Sequence, residues 1–215
     1  ALPMPERDAL FAGGLVTDDE DGPAPVLIDW ALNADLGKAA PPRVRLVAVA
    51  IAWFLSSSDR TLRDLASHAL ARIFRSLPAL SSDLIGAFAD VDDAYVRERV
   101  LAAAYASALW TSNDTGALRA AATSAWRSVF ARQPVDRHIF IRHYARGLIE
   151  LAAVRGVLAE EIDLARARPP YASEPITQWP AAAEVGALRE IAHAIVSSVA
   201  GYYHEEEDRF SMPGD

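Results

Sequence analysis

The histidines and acidic runs of this chain could bind a metal ion, but their spacing argues against such a site. His138 and His143 lie five positions apart, whereas two zinc ligands on one helical face lie four apart, and no HExxH motif is present. The stretch TDDEDG at 17–22 has the aspartates and the glycine of a calcium loop, yet Ile28 stands where that loop requires a bidentate glutamate. The sequence therefore predicts no metal site.

Catalysis would need side chains that the sequence does not bring together in a known motif. Asp92, Asp93 and Glu98 could work as paired carboxylates only if they line a cleft. Gly37-Lys38 lacks the first glycine and the final hydroxyl residue of a phosphate-binding loop. No G-x-S-x-G motif marks a nucleophilic serine. We therefore predict no catalytic residue, no cofactor and no enzymatic activity.

Arginine supplies nearly all of the positive charge, because only one of the 21 basic residues is a lysine. The formal net charge of −8 repels nucleic acid and anionic membranes, so neither is an expected partner. Residues 119–168 nevertheless hold nine arginines against five acids. Because arginine binds carboxylates bidentately, we predict a surface for an acidic protein partner or for another domain of the same protein. Its candidate residues are Arg119, Arg127, Arg142 and Arg146. Local pairing, such as Arg146 with Glu150, is the alternative.

Almost every apolar pattern has helical spacing, and strand-like alternation is absent. The stretch at 41–55 opens with prolines, which suit the first turn of a helix. The stretch DRTLRDLASHALARIF at 59–74 places apolar residues at i, i+3, i+4 and i+7. Further helices are predicted at 24–35, 80–89, 93–110, 115–131, 138–154 and 181–200. Short polar breaks between them predict antiparallel helix pairs, and hence an all-α fold.

The predicted organisation has three parts. An acidic segment with short helices occupies residues 1–40, a helical-repeat domain occupies 41–200, and an acidic tail occupies 201–215. A strap at 166–180 interrupts the domain, because its four prolines prevent a continuous helix. The chain starts without Met and stops at SMPGD, so we expect a piece of a larger protein.

The pattern hydrophobic-Arg-x-x-Ala recurs along the chain. Its arginines stand at 45, 63, 97, 119, 142 and 189, with Val100 in place of Ala in the third copy. Alanine in the middle of a buried stripe lets a second helix approach closely, so Ala66 is predicted to lie at a helix–helix contact.

Two polar positions accompany the pattern. Asp59 and Asp93 precede the hydrophobic residue by three positions and are predicted to cap their helices. Arg63 and Arg97 stand beside the buried stripe, where a long side chain can reach a carboxylate or a helix end of the adjoining unit.

These residues resemble the HEAT-type repeat, whose second helix begins Asp-Pro-x-Val-Arg-x-x-Ala-Ala-x-Ala-Leu. Within DRTLRDLASHAL, the matching residues are Asp59, Leu62, Arg63, Ala66, Ala69 and Leu70. Arg60 replaces the proline of the repeat, and the copy at Asp93 and Arg97 matches more loosely. The resemblance covers about residues 41–155, and it implies an irregular α-solenoid of antiparallel helix pairs, similar to HEAT and armadillo proteins.

A narrower resemblance is carried by LRDLASHALARIF, FADVDDAYVRERVLAAAYASAL and IRHYARGLIELA. Together these stretches resemble the helical region of large bacterial STAND-type ATP-binding proteins, a group implicated in antiphage defence. The resemblance implies a cytoplasmic sensor or scaffold arm whose nucleotide site lies elsewhere.

The expected function is therefore protein binding or scaffolding. A nucleic-acid-binding HEAT-like domain, served by the arginines of 119–168, is one alternative. A small all-α enzyme is the other, and it would require a polar pocket that holds at least two of His68, His143 and His193.

Overall fold

The computed structural model describes residues 22–110 and 114–171, together with the helical positions Glu6, Glu184 and Ala187. The chain separates into two compact units, Ala1–Glu174 and Pro175–Asp215. Several predictions fall outside the described residues: most of the TDDEDG stretch, the strap beyond Tyr171, the pattern copy at 189 and the acidic tail. The predicted helix at 181–200 is described only at its two helical positions.

Seven α-helices lie within the described part of the first unit, which contains no strand. They are α1 (Pro23–Asn33), α2 (Pro41–Phe54), α3 (Arg60–Ser76), α4 (Ala79–Ala87), α5 (Ala94–Trp110), α6 (Thr115–Ala125) and α7 (Ile139–Val154). A 3₁₀ turn precedes α2, and a π-helical turn, Trp126–Phe130, extends α6. The all-α prediction is confirmed.

Most helices begin at residues that satisfy or tolerate free backbone amides. Prolines open α1 and α2. Asp59, Asp93 and Asp114 accept hydrogen bonds from first-turn amides of α3, α5 and α6, at 2.7 to 3.4 Å. The first two are the caps that the sequence predicts. The Nδ1 atom of His138 accepts from the third amide of α7 at 3.4 Å.

The helices pack in two layers. Helices α1, α3, α5 and α7 lie side by side in that order, and α4 packs against α6 in the other layer. Helix α2 packs on α3, and an ion pair between Arg45 and Asp83 joins it to α4. Each helix thus contacts elements near it in sequence, as expected for a solenoid-like stack of helix pairs.

The recurring pattern marks the buried stripes of the helices. Ala48, Ala66, Ala122 and Ala145 are completely buried, one in each of α2, α3, α6 and α7. Copies of the pattern therefore occur in both layers rather than once per helix pair. The pattern therefore indicates close helix packing, because a small residue is needed wherever two helix axes come close together.

The segment after α7 folds back on the helices. Ala159, Ile162 and Ala167 are buried, and the ring of Tyr171 stacks on Phe130 with centroids 5.9 Å apart. The described start of the predicted strap is thus packed through Tyr171.

Candidate binding surface

Three arginines of the recurring pattern have hydrogen-bond partners outside their own helices, two of them in distant elements. Arg45 Nε donates to Asp83 Oδ2 of α4 at 2.5 Å, and Arg97 Nη2 donates to Asp136 Oδ2, before α7, at 2.7 Å. Arg63 Nη1 donates to the carbonyl oxygens of Ser57 and Ser58, in the turn that joins α2 to α3, at 2.7 and 2.8 Å. Arg97 thus reaches a carboxylate of an adjoining element, as the sequence predicts, whereas Arg63 binds the turn directly before its own helix.

The first two arginines predicted to bind a partner lie on or next to α6. Arg119 and Arg127 line one shallow depression there. Arg127 makes two hydrogen bonds to Glu161, at 2.8 and 3.1 Å, and this contact raises the pKa of the guanidinium. Arg119 is exposed and forms no ion pair with any residue that the structure describes. Of these two, only Arg119 is available without displacing a carboxylate.

The other two predicted arginines meet at Tyr171. The guanidinium of Arg142 lies 4.6 Å from the ring centroid, and Arg146 Nη1 donates to the Tyr171 hydroxyl at 3.3 Å. Arg146 Nε also lies 3.8 Å from Glu150. Arg146 therefore has the local partner that the alternative prediction names. The four arginines lie in two separate places, Arg119 with Arg127 and Arg142 with Arg146, and do not form one cluster.

The described histidines, at 68, 138 and 143, belong to no cluster of possible metal ligands among the described residues. His68 and His143 are exposed on α3 and α7, His138 caps α7, and His193 lies outside the described residues. Within the described ranges, no group of three or more His, Asp or Glu side chains could hold a metal ion.

A row of arginine and aromatic side chains runs along the surface of α3 and α5. We call Arg63, Arg75, Tyr95, Arg99 and Trp110 the Arg/aromatic strip. At one end, the Tyr95 ring faces two guanidinium groups, with Arg63 Cζ 5.3 Å and Arg99 Cζ 5.7 Å from its centroid. At the other end, roughly 22 Å along α5, Arg75 Cζ lies 5.9 Å from the Trp110 ring.

The arginines at the Tyr95 end are held in place by further contacts. Arg99 Nε donates to Ser67 Oγ at 3.0 Å, and that hydroxyl donates to the Arg63 carbonyl at 2.8 Å. Arg63 is fixed by the serine carbonyls after α2. Because these side chains are already ordered, a ligand that binds them loses less conformational entropy.

The contact between α5 and α7 contains a buried acid and two tyrosines. Glu98 is 9% exposed, and its Oε2 lies 3.8 Å from His138 Nε2. Burial raises the pKa of Glu98, while the charges of His138 and Arg99 act in the opposite direction. The Tyr105 and Tyr144 ring centroids are 6.4 Å apart. Glu98 thus faces α7, whereas Asp93 accepts hydrogen bonds from first-turn amides of α5. The two carboxylates therefore have different partners.

Sequence reasoning missed the aromatic residues of the strip, although a signal was present. The buried stripe of α5 includes Val96 and Val100, and both Tyr95 and Trp110 lie off it. Trp110 is 76% exposed. Large aromatic residues off the apolar stripe of a helix are candidates for binding.

No family model matches this chain, and neither a curated protein nor a solved structure matches it. Among the described helices, none combines the length and apolar character needed to cross a membrane. The geometry of the surface is therefore the basis for assigning a function.

Proposed function

We propose that this chain is a non-catalytic binding module that holds a protein partner on the Arg/aromatic strip, as one arm of a larger cytoplasmic scaffold or sensor protein. The observation that carries the proposal is Trp110, which is 76% exposed and stacked by Arg75. Tryptophan, tyrosine and arginine are the residues enriched at binding hot spots, because they combine large apolar area with directed polar contacts.

The chemistry of the strip indicates the chemistry of the partner. The strip has three arginines and two aromatic rings. Two acids lie near Arg99: Asp64, whose Oδ1 is 3.9 Å away, and the buried Glu98. An extended or helical segment with alternating acidic and apolar side chains would complement both charge and apolar area. Arg119 lies on α6, in the other helix layer, and is not part of the strip.

The resemblance of α3, α5 and α7 to the helical region of STAND-type proteins supports a role for this arm in bacterial defence. In that setting, any ATP binding belongs to another part of the protein. The arm would then recognise a partner or another domain of the same chain.

The proposed function can be tested by comparing the proteins that the wild type and its variants bind. The full chain and two variants, Trp110→Ala and Leu46→Ala, are immobilised and exposed to a bacterial lysate. Leu46 is the matched control, because it is 67% exposed on α2, outside the strip. We expect a protein that the wild type and the Leu46 variant retain and the Trp110 variant loses. Its affinity, measured with the purified protein, should fall about tenfold or more on removal of Trp110.

Two results would overturn the proposal. One is equal retention of every protein by the wild type and the Trp110 variant. The other is a salt-dependent gel shift of single-stranded RNA that is lost in the Trp110 variant, because stacked bases would then be the ligand of the strip.

A further inference from the structure

A polar cleft lies apart from the Arg/aromatic strip, where the turn before α5 meets the π-helical turn and the loop before α7. Its volume is about 260 Å³, slightly below the roughly 300 Å³ at which typical small-molecule sites begin. Two arginines and two aspartates line it: Asp90, Arg97, Arg132 and Asp136. A cleft of this size accommodates one small ligand.

The four charged side chains form a deep pair and a rim pair. Arg97 and Asp136, 2.7 Å apart, have side chains that are 20% and 21% exposed, whereas Arg132 and Asp90 are 48% and 78% exposed and also hydrogen-bonded to each other. Arg132, and more weakly Arg97, lower the pKa of Asp90, so the two pairs interact. The cleft therefore has one positive and one negative side chain near its base and another such pair at its rim. The charges of these four side chains sum to zero.

Each arginine has unused donors. Arg97 engages Asp136 through Nη2 alone, and Arg132 engages Asp90 through Nη1 alone. The remaining N–H groups of both guanidinium groups have no hydrogen-bond partner among the residues that the structure describes. A guanidinium has five N–H donors, which suit bidentate binding of a carboxylate.

We propose that this cleft binds a small zwitterionic amino acid. Its carboxylate accepts from the free N–H groups of Arg97 and Arg132, and its ammonium donates to the carboxylates of Asp90 and Asp136. A cleft with equal numbers of both charges offers no net attraction to a simple anion or cation. It attracts a ligand whose own two charges match it at both ends.

The floor of the cleft limits the side chain of the ligand. A pit of about 10 Å³ adjoins the cleft and shares Arg97 and Ser128 with it; its other lining residues are apolar and include Phe88 and Val100. That volume holds about one water-sized group, so a methyl group fits and a leucine side chain does not. If the side chain of the ligand enters this pit, the pit favours a small one, so we expect glycine, alanine or serine.

Calorimetric titration of the full chain tests this inference independently of the strip. The probes are L-alanine, propionate as the carboxylate alone, propylamine as the ammonium alone, and L-leucine as the larger side chain. We expect saturable binding of alanine, and affinities at least about tenfold weaker for the other three, since each loses a charged hydrogen bond or clashes with the pit.

Two variants locate the binding. Arg132→Gln, at the exposed rim, should weaken alanine binding about tenfold or more, while Arg127→Gln, which removes an exposed arginine of another ion pair, should leave it unchanged. Circular dichroism verifies that both variants fold. The inference is overturned by any of these results: no saturable binding of alanine at millimolar concentration, equal binding of propionate or leucine, or an unchanged affinity in Arg132→Gln.

Discussion

Arg97 and Asp136 connect α5 to the start of α7 through a hydrogen bond of 2.7 Å between Nη2 and Oδ2. The second oxygen of Asp136 accepts the backbone amide of His138 at 2.8 Å. One carboxylate therefore binds the preceding helix of its layer and orients the residue that caps the next. The contact is about four-fifths buried, which distinguishes it from the exposed arginine pairs of the chain.

Replacing Arg97 with Met should lower the free energy of unfolding by about 1–3 kcal/mol, because the largely buried carboxylate of Asp136 loses a charged donor. Urea unfolding measures the change. Arg45→Met is the matched control, since Arg45 has the same pattern position but its pair with Asp83 is 45% and 41% exposed. Arg45→Met should lower the free energy of unfolding by only about 0–1 kcal/mol. Equal losses in the two variants would contradict the structural role of the Arg97 contact.

Replacing Ala66 with Leu should destabilise the stack by about 1–3 kcal/mol, because Ala66 is completely buried on α3 and the added carbons have no space. Thermal unfolding measures the loss. Ala120→Leu adds the same carbons at an exposed position of α6 and should change stability by less than about 0.5 kcal/mol. An unchanged melting temperature for Ala66→Leu would refute close helix packing at this position.

Two helical glycines should respond oppositely to alanine. At Gly86, an added Cβ meets nothing within 4 Å, so Gly86→Ala should stabilise α4 by about 0.5–1 kcal/mol. At Gly147, the added Cβ would lie 2.8 Å from the Tyr105 ring, so Gly147→Ala should destabilise despite the same gain in helix propensity.

Removing the Tyr105 ring provides the control for the Gly147 prediction. In a Tyr105→Ala background the ring that the new Cβ would touch is absent, so Gly147→Ala should become stabilising. Chemical unfolding of the four proteins of this cycle measures the change of sign. If Gly147→Ala destabilises equally in both backgrounds, contact with the ring is not the cause.

The stability contributed by Glu98 should depend on pH. Burial raises its pKa above the ordinary value of 4.5, so the folded state holds the proton more tightly than the unfolded state. That contribution is present below about pH 4 and is lost as the pH rises through the folded pKa. Glu98→Gln should therefore have a higher melting temperature than the wild type at pH 7, and the difference should shrink towards pH 4.

Melting curves between pH 4 and pH 8 test the Glu98 prediction. Glu160→Gln, at an exposed position after α7, is the control and should shift stability by less than about 0.5 kcal/mol. A Glu98→Gln variant that is less stable than the wild type at pH 7 would show that the contact with His138 outweighs the cost of burial.

The helices and their buried stripes could be predicted from the sequence because both depend on local order. The apolar spacing at 59–74 and the aspartate before it specify a capped amphipathic helix without reference to the rest of the chain. The predicted and observed ends of α1, α4 and α7 differ by at most two residues. Likeness to HEAT repeats, and to STAND-type proteins more narrowly, stays a prediction.

What the sequence by itself determined is thus an all-α chain with buried alanines at helix contacts. Apart from local pairs such as Arg146 with Glu150, the partners of the arginines were decided only by the tertiary structure. Arg127 meets Glu161, 34 residues away, and Arg63 and Arg99 meet at Tyr95. Such pairs depend on the register and separation of packed helices, which set the positions of side-chain ends to within a few ångströms. A periodic apolar pattern specifies which face of a helix is buried, but it does not specify which residues of two helices lie opposite each other.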